Sequence, residues 1–252
     1  MADETDAYTA ALIELHAPLE RQGPGDVAHA RRILEALAPR LPAVPRVADL
    51  GCGAGAGALL LAGFFGCTIR AVDASAAFVE RLKARARAAG LDRLVDATVE
   101  DMGRLAWPAA SLDLLWSEAA AYCLGFEQAL ALWHPLLVPG GFAVVSELSW
   151  FSESPPAPAR DVWKAAYPAM GSEPENRERA VRAGYSVFRT ERLSSEAWWT
   201  SYYGPLRARL DALRDRNDPA MRHVVRETEQ EIALFERFHA HYGYTFYVLE
   251  RV

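Results

Sequence analysis

The feature that most constrains the fold of this 252-residue chain is a glycine-rich turn that follows an apolar run at residues 46–50. The segment reads RVADLGCGAGAG, places Gly51, Gly53 and Gly55 in the turn, and leads into an apolar helical stretch that ends near residue 65. Glycine lets the backbone turn sharply and approach a ligand closely. Nucleotide-like ligands bind at such a first strand-to-helix turn in open α/β sheets, so we expect a ligand crevice here.

Strand-like and helix-like segments alternate through the middle of the chain. The predicted strands cover residues 46–50, 68–73, 94–99, 112–117, 142–147, 185–190 and 244–249. Ser75 is expected to cap the helix after the second strand, and a helix at 126–137 is expected to end before Pro139-Gly140-Gly141. This alternation predicts a parallel sheet covered on both faces. We therefore predict an α/β, Rossmann-like, doubly wound fold with a seven-stranded sheet.

Helical segments flank this alternating region. Residues 1–43 are predicted to form a helical N-terminal cap, in which Asp26 caps the second helix. Residues 44–252 are predicted to form the α/β domain, with a helical insertion at about 193–242 before the last strand. Asp218-Pro219 is expected to start the longer helix of the insertion. We expect the cap and the insertion to form a lid over the carboxyl edge of the sheet.

Composition excludes several function classes. The chain has 27 basic and 33 acidic side chains, a formal charge of −6, and no basic block, which argues against nucleic-acid binding. The longest apolar stretch, 54–67, is shorter than the roughly 18 residues of a membrane span, and the acidic start lacks a signal core. We expect a cytoplasmic protein without membrane contact. The three cysteines show no CxxC spacing and are expected to be free thiols, and no spacing predicts a metal site.

Asp73 is the first candidate binding residue outside the glycine turn. It ends the second predicted strand, 22 residues after Gly51, where a carboxylate can accept both hydroxyls of a ribose. The structural alternative is that Asp73 only caps the next helix. Gly51, Gly53 and Ala56 also satisfy the looser G-x-G-x-x-G/A pattern of NAD or FAD binding, so the glycine spacing alone does not select a ligand.

Further segments in the same order resemble the motifs of class I S-adenosylmethionine (SAM)-dependent methyltransferases. DLGCGAGAG resembles their glycine motif, VDAS their ribose-binding segment, EDM (100–102) their adenine-binding segment, and LDLLWSE (112–118) their fourth strand. LLVPGGFAVVSE resembles the helix-loop-strand that follows. RQGPG (21–25), WSEAAAYCLGFEQAL (116–130), VSELSWF (145–151) and HYGYTFYVLE (241–250) narrow the resemblance to a bacterial subgroup of small-molecule methyltransferases with undefined acceptors.

The resemblance implies SAM as cofactor and S-adenosyl-L-homocysteine (SAH) as product. It places Asp49 near the ammonium group, Asp73 with Ala74 at the ribose, Asp101 and Met102 at the adenine, and Ser117 beside the sulfonium. The residues it implies around the methionine part are Gly51, Cys52, Gly53 and Gly55. Asp101 fits the broad class but departs from the subgroup pattern.

Arg21 and three further residues are the remaining candidates. RQGPG is either a Gly/Pro turn between two helices or a lid segment in which Arg21 or Gln22 reaches the cofactor carboxylate or the substrate. Glu118 and Glu147, both predicted at carboxyl ends of strands, are candidate bases with Tyr122 nearby. Either glutamate is equally explained as a solvated strand-end acid.

The leading hypothesis is therefore an enzyme that transfers a methyl group from SAM to a small-molecule acceptor. The segment WSEA stands where nucleic-acid and protein-glutamine methyltransferases carry a DPPY-type motif. Two alternatives stay open: an NAD-dependent oxidoreductase of Rossmann type, and a SAM-binding sensor without transferase activity. A homodimer also stays open.

Overall fold

The computed structural model describes the backbone of residues 2–252 and the side chains of residues 6–252. A single sheet forms its centre. Its strands are β1 (Val47–Leu50), β2 (Ile69–Asp73), β3 (Val95–Val99), β4 (Leu112–Ser117), β5 (Leu137–Trp150), β6 (Gly171–Ser172), β7 (Tyr185–Arg192) and β8 (Tyr242–Arg251). The order across the sheet is β3-β2-β1-β4-β5-β8-β7, with β6 beside the end of β5.

The sheet confirms the predicted α/β, doubly wound fold. Strands β1 to β5 pair in parallel, and β8 lies antiparallel between β5 and β7. Within the described residues the sheet has one strand more than the seven predicted, because the two-residue β6 pairs with Ser149 and Trp150. The strand order changes direction at β1, because β2 and β3 lie on one side of it and β4 lies on the other. A crevice opens at the carboxyl ends of the strands at this point.

Helices cover both faces of the sheet. They are α1 (Ala2–His16), α2 (Val27–Leu37), α3 (Ala56–Phe65), α4 (Ala76–Ala88), α5 (Phe126–Trp133), α6 (Ala157–Ala166), α7 (Glu173–Arg182), α8 (Ser195–Trp198), α9 (Gly204–Leu213) and α10 (Pro219–Phe238). Successive strand residues point to opposite faces. Val47 accordingly belongs to one buried apolar cluster and Ala48 to another. The parallel strands are therefore buried on both sides, as their apolar sequences require.

Capping side chains start several helices where the sequence predicts. The side chains of Asp26, Ser75 and Asp218 accept backbone hydrogen bonds from the first turns of α2, α4 and α10. Ser172 and Glu175 form a capping box that starts α7, which the sequence analysis did not identify. Local hydrogen bonding thus fixes the starts of these helices.

The predicted boundaries around β5 are wrong at both ends. The helix predicted over 126–137 ends at Trp133, and the 3₁₀ turn His134–Leu136 separates it from β5. Pro135 in this turn has no N–H to donate to a helix. β5 then passes through the Pro-Gly-Gly segment and continues to Trp150, so Glu147 lies inside the strand and not at its end.

The N-terminal helix packs on the helical insertion. α1 contacts both α9 and α10, and α10 contacts α9. We call α1 and the segment from α8 to α10 the lid. The division into a cap and an α/β domain stays a prediction. No helix among the described residues is long and apolar enough to cross a membrane.

Candidate functional site

A cavity of about 820 Å³ lies between the carboxyl ends of β1 to β4 and the lid. Its floor includes Asp49, Asp73, Asp101 and Glu118, each at or just after the end of a different parallel strand. Its roof is formed by side chains of α1, the segment after α8 and α10. The roof residues are Thr9, Leu12, Ile13, His16, Tyr202 and Glu231. This volume is in the range of small-molecule sites, roughly 300–1,000 Å³.

The glycine turn after β1 forms one wall of the cavity. Gly53 has φ +52°, a conformation that favours glycine, and a Cβ there would lie 2.5 Å from the side-chain oxygen of Gln22. That oxygen accepts a hydrogen bond of 2.6 Å from the amide of Ala54. The Gln22 side-chain nitrogen donates to the carbonyls of His16 and Leu19, each at 3.2 Å. Gln22 therefore connects the glycine turn to the end of α1.

Asp73 holds the glycine turn against the next strand. Its carboxylate accepts hydrogen bonds of 2.8 Å from the amides of Gly53 and Ser75. Burial raises the pKa of Asp73, and these two amides oppose the rise. Each carboxylate oxygen can accept a second hydrogen bond. Asp73 therefore has both the position and the acceptor capacity for ribose hydroxyls, and it also braces the adjacent turn.

Asp49 is the least compensated acid of the cavity floor. Its side chain is 2% exposed, and within the described residues its Oδ2 atom has no hydrogen-bond partner. Burial is the main cause that raises the pKa of Asp49 to about 8, and the charge of Glu118 adds to the rise. A buried carboxyl oxygen without a partner fits a cationic donor such as an ammonium group.

The segment after β3 forms a second ligand wall. Asp101 is half exposed, and its Oδ1 atom accepts a hydrogen bond of 2.8 Å from the Gly103 amide. The Met102 carbonyl accepts a hydrogen bond from the Trp133 indole at 2.9 Å, which fixes the backbone of Met102. Met102 lines the cavity. Glu100 also lines the cavity, although the sequence analysis did not single it out. Its position in the EDM segment (100–102) is the sequence feature that could have identified Glu100 as a site residue.

Two residues predicted separately form one ion pair. Arg21 donates to the Oε2 atom of Glu118 at 2.7 Å, and the two side chains are only 8% and 10% exposed. The Trp116 indole donates to the other carboxylate oxygen of Glu118 at 2.8 Å. Ala119 follows with φ +53°, and its amide donates to the Ser146 hydroxyl at 2.8 Å. The pair therefore joins the segment before α2 to the end of β4.

Three predicted site residues lie outside the cavity wall. Ser117 is fully buried and donates to the Leu50 carbonyl at 2.8 Å, so it ties β4 to β1. Gly55 has φ +89° and starts α3 where a Cβ would collide with Leu82 of α4. Glu147 is 1% exposed within β5, and burial raises its pKa to about 8. Their positions indicate packing and strand connection.

The remaining predicted residues line the cavity. Cys52, Ala74 and Tyr122 lie in its wall, together with Gly51 and Gly53. The Tyr122 ring packs edge-on against Tyr167, with ring centroids 6.1 Å apart. Among the described residues, no group of three or more His, Cys, Asp or Glu side chains is placed to hold a metal ion.

Roof residues His16, Tyr202 and Glu231 were not among the site residues predicted from the sequence. His16 and Tyr202 are 186 residues apart in the sequence, yet their side chains meet at 3.1 Å. No local pattern marks either His16 or Glu231, because each faces the cavity only through the packing of α1 on α10. The tertiary structure alone brings them to the site.

These residues fit a cationic adenosyl ligand. The fit consists of a buried Asp49 oxygen that has no partner among the described residues, a close backbone approach at the glycine turn, and acids at the ends of β2 and β3. Six carboxyl groups line the cavity among the described residues, against the single guanidinium of Arg21. A positively charged ligand is favoured in such a field.

Comparison with known proteins agrees with this geometry. Residues 47–141 match a family model described as a methyltransferase domain. The match begins at β1 and ends within β5, so it includes the glycine turn, Asp73, Asp101 and Glu118. A search of curated proteins found no match.

Solved structures match nearly the whole chain. A SAM-dependent methyltransferase from Geobacter sulfurreducens in complex with SAH has a TM-score of 0.82 and 19% identity, covering 96% of this chain and 98% of that chain. A second, from Thiobacillus denitrificans and also with SAH, has a TM-score of 0.71 and 22% identity, covering 88% and 91%. The [4+2]-cyclase SpnF has a TM-score of 0.75 and 22% identity, covering 98% and 93%. The family match confirms the predicted methyltransferase domain over residues 47–141, and the solved structures confirm the predicted fold.

Proposed function

We propose that this protein, an enzyme with a methyltransferase domain at residues 47–141, transfers a methyl group from SAM to a small-molecule acceptor. One observation carries the proposal. The ends of three adjacent parallel strands, β1 to β3, place Asp49, Asp73, Asp101 and the glycine turn around one cavity. SAH in the solved neighbours from Geobacter sulfurreducens and Thiobacillus denitrificans supports the expected cofactor.

The cofactor residues are assigned by the chemistry of their side chains. Asp49 pairs with the ammonium group, since its buried Oδ2 atom has no hydrogen-bond partner among the described residues. Asp73 accepts hydrogen bonds from the ribose hydroxyls. Asp101 accepts a hydrogen bond from the exocyclic amine of adenine, and the Met102 side chain packs on the adenine ring. Gly51, Cys52 and Gly53 leave room for the methionine chain beside the turn.

SAM supplies a methyl group that is already activated by its positive sulfur, so the protein contributes mainly position and electric field. The cavity walls hold both reactants in line. Correct alignment of two bound reactants contributes on the order of 7–11 kcal/mol to lowering a barrier. Rigid strand ends are suited to that task because they are buried and hydrogen-bonded.

The candidate bases take different roles. Glu118 accepts hydrogen bonds from Arg21 and Trp116, and accepting a proton as a base would weaken both contacts. We therefore assign Glu118 a role in positioning the segment that carries Arg21. Glu147 lies outside the cavity wall, and we assign it a role in the core. Tyr122 faces the cavity and is placed to contact the acceptor.

The covered cavity favours a small acceptor over a macromolecule. Side chains of α1 and α10 line the side opposite the strand ends, so an acceptor that reaches the methyl group must fit between them and the cofactor. The acidic charge of the chain also disfavours nucleic acid. A cytoplasmic location and a homodimer stay predictions from the sequence.

The proposal is tested first by ligand-dependent thermal stability. We expect SAM and SAH to raise the melting temperature while NAD leaves it unchanged, because a ligand stabilises the native state to which it binds. A shift with NAD alone would favour the oxidoreductase alternative.

Asp73→Ala tests the cofactor assignment directly. We expect the substitution to weaken SAH binding by about 1–3 kcal/mol in calorimetry, because the ribose hydroxyls lose a partly buried hydrogen-bond acceptor. Asp92→Ala, at an exposed position after α4, is the matched control and should bind SAH like the unmodified protein. Equal affinities in both variants would contradict the assignment.

A SAM-binding role without methyl transfer is the second candidate, and the likeness to SpnF motivates it. That protein is described as a [4+2]-cyclase, so one fold hosts more than one chemistry. Tight SAH binding without methyl transfer to any acceptor in a broad panel would support this candidate.

A further inference from the structure

The roof of the cavity carries polar side chains that the proposed cofactor site does not use. His16 ends α1, Tyr202 lies in the π-helical turn Trp199–Tyr203, and Glu231 lies in the middle of α10. All three line the cavity. Single π-helical turns are frequent at functional sites. We call these three residues the lid subsite.

The His16 imidazole is arranged to accept a proton. Its Nδ1 atom lies 2.8 Å from the Leu12 carbonyl, which can only accept, so Nδ1 carries the hydrogen. Nε2 is then an acceptor and lies 3.1 Å from the Tyr202 hydroxyl. The two rings are stacked, with centroids 6.0 Å apart. Burial lowers the pKa of His16, opposed by the Leu12 carbonyl, so the ring is neutral at neutral pH.

Glu231 lines the same cavity, and its charge adds to the burial that raises the pKa of the Tyr202 hydroxyl. The Tyr203 hydroxyl donates to the Oε1 atom of Glu231 at 2.7 Å, which fixes the side chain. Burial raises the pKa of Glu231. A cation that enters the cavity would favour the ionised carboxylate and would pair with it.

The charge of the remaining cavity wall points to the same kind of acceptor. Among the described residues that line the cavity, Arg21 is the one Lys or Arg side chain, and Glu118 already binds it. A carboxylate or phosphate acceptor would therefore meet an excess of carboxyl groups without a free cation. An amine would meet complementary charge.

We propose that the lid subsite binds the methyl acceptor and that this acceptor is an amine, with Glu231 pairing with its ammonium group and the His16–Tyr202 pair removing its proton. This inference rests on the proposed methyl transfer and names the substrate class and the base for it.

The proton must leave before the nitrogen can attack. The ammonium gives a proton to the Tyr202 oxygen as the Tyr202 hydroxyl passes its own proton to Nε2 of His16. The freed nitrogen lone pair then forms a bond to the methyl carbon. The bond between that carbon and sulfur breaks, and its electron pair stays on sulfur. The products are a methylated ammonium, neutral SAH and a protonated His16, so charge and atoms balance.

Amine binding is tested on protein saturated with SAH, which cannot react. The probes are phenethylamine and 3-phenylpropionate, chosen because the Tyr122 and Tyr202 rings line the cavity. We expect calorimetry to give an affinity at least about tenfold higher for the amine, a difference of about 1.4 kcal/mol. Equal or tighter binding of the carboxylate, or no binding of the amine, overturns the inference.

Glu231→Gln tests the contact with the ammonium group. The variant keeps the acceptor for Tyr203 but removes the charge, so we expect phenethylamine affinity to fall about tenfold or more while SAH affinity is unchanged. Glu236→Gln, an exposed change on the same helix, is the matched control and should not alter amine binding. Unchanged amine affinity in Glu231→Gln overturns the assignment. If SAH itself fails to bind the unmodified protein, the proposed function fails instead.

His16→Gln tests the base. With an amine acceptor we expect kcat to fall by about 10²–10⁴-fold, the usual contribution of a general base. In the unmodified protein kcat should fall as the pH drops below about 6.5, and His16→Gln should lose this fall, the acid limb of the profile. His223→Gln, an exposed change on α10, should keep both the rate and the acid limb. A nuclear magnetic resonance titration should give His16 a pKa below 6.5 independently of activity. Retained rate and acid limb in His16→Gln, or a His16 pKa above 6.5, overturns the role.

Discussion

Asp49 illustrates how a single residue is placed by its strand and left unpaired by its surroundings. It sits near the end of β1, where the sheet buries it, and its Oδ2 atom has no partner within the described residues. A buried charge without compensation is unfavourable, so the carboxyl group takes up a proton at a higher pH than usual. Such an unpaired acid is a common property of binding sites.

We predict that SAH affinity rises with pH until about pH 8. The pKa of Asp49 in the free protein is about 8, and pairing with the ligand ammonium would lower it. Binding therefore releases a proton, and affinity increases by at most about tenfold per pH unit below pH 8, then levels off. Calorimetry between pH 6 and 8.5 measures the slope.

Asp49→Asn is the variant that isolates this effect. This variant should bind SAH more weakly, and its SAH affinity should depend much less on pH. The remaining pH dependence is the part due to Asp73, whose pKa is also raised by burial. Asp92→Asn is the control with an unchanged profile. An equal change of SAH affinity with pH in Asp49→Asn and in Asp92→Asn would contradict the pairing of Asp49 with the ligand.

At the scale of elements, short side-chain bridges attach the lid to the glycine turn. Gln22 connects the Ala54 amide to the end of α1, and Arg85 of α4 donates both to the Ala54 carbonyl at 2.7 Å and to the Glu20 carbonyl at 2.8 Å. The segment between α1 and α2 is therefore fixed by the same turn that we assign to the cofactor. Ligand binding at the turn and closure of the lid are expected to be coupled.

Gln22→Ala tests that coupling. The substitution removes three hydrogen bonds and leaves the Ala54 amide without its acceptor, so we expect a loss of about 1–3 kcal/mol in unfolding free energy. Hydrogen exchange should speed up at the end of α1 and at residue 54. Gln128→Ala, at an exposed position of α5, is the control. Unchanged exchange at both places would show that Gln22 does not hold the lid.

At the scale of the whole molecule, a buried acid makes stability depend on pH. Glu147 has a pKa of about 8 in the folded chain against an ordinary value of 4.5. The unfolded chain therefore loses this proton between about pH 4.5 and 8 while the folded chain keeps it. The contribution of Glu147 to stability is complete below pH 4.5 and is lost as the pH rises towards 8.

Glu147→Gln removes this titration and keeps the shape of the side chain. We predict that the unfolding free energy of the unmodified protein, relative to the variant, falls from pH 5 to pH 8 by at most about 1.4 kcal/mol per pH unit. Urea unfolding at several pH values measures the difference. Glu153→Gln, in an exposed loop, should track the unmodified protein. A constant difference between the protein and Glu147→Gln would mean that Glu147 is ionised when folded.

Local sequence determined the parts of this protein that depend on neighbours in the chain. The strand after residue 46, the glycine turn, and the helix starts at Ser75 and Asp218 follow from spacing and capping, which are short-range effects. The strand-end positions of Asp49 and Asp73 follow from the same alternation. The predicted end of β5 was wrong because pairing with the distant β6 extends that strand. The start of α7 depends on a local capping box, Ser172 with Glu175, which the sequence analysis did not identify.

Only the tertiary structure decided which distant side chains meet. The pairing of Arg21 with Glu118 spans 97 residues, and the contact of His16 with Tyr202 spans 186. No local pattern encodes such contacts, because they depend on how α1 and α10 pack over the strand ends. The sequence by itself therefore determined the sheet and the floor of the cavity, whereas long-range packing determined its roof and the groups that face an acceptor.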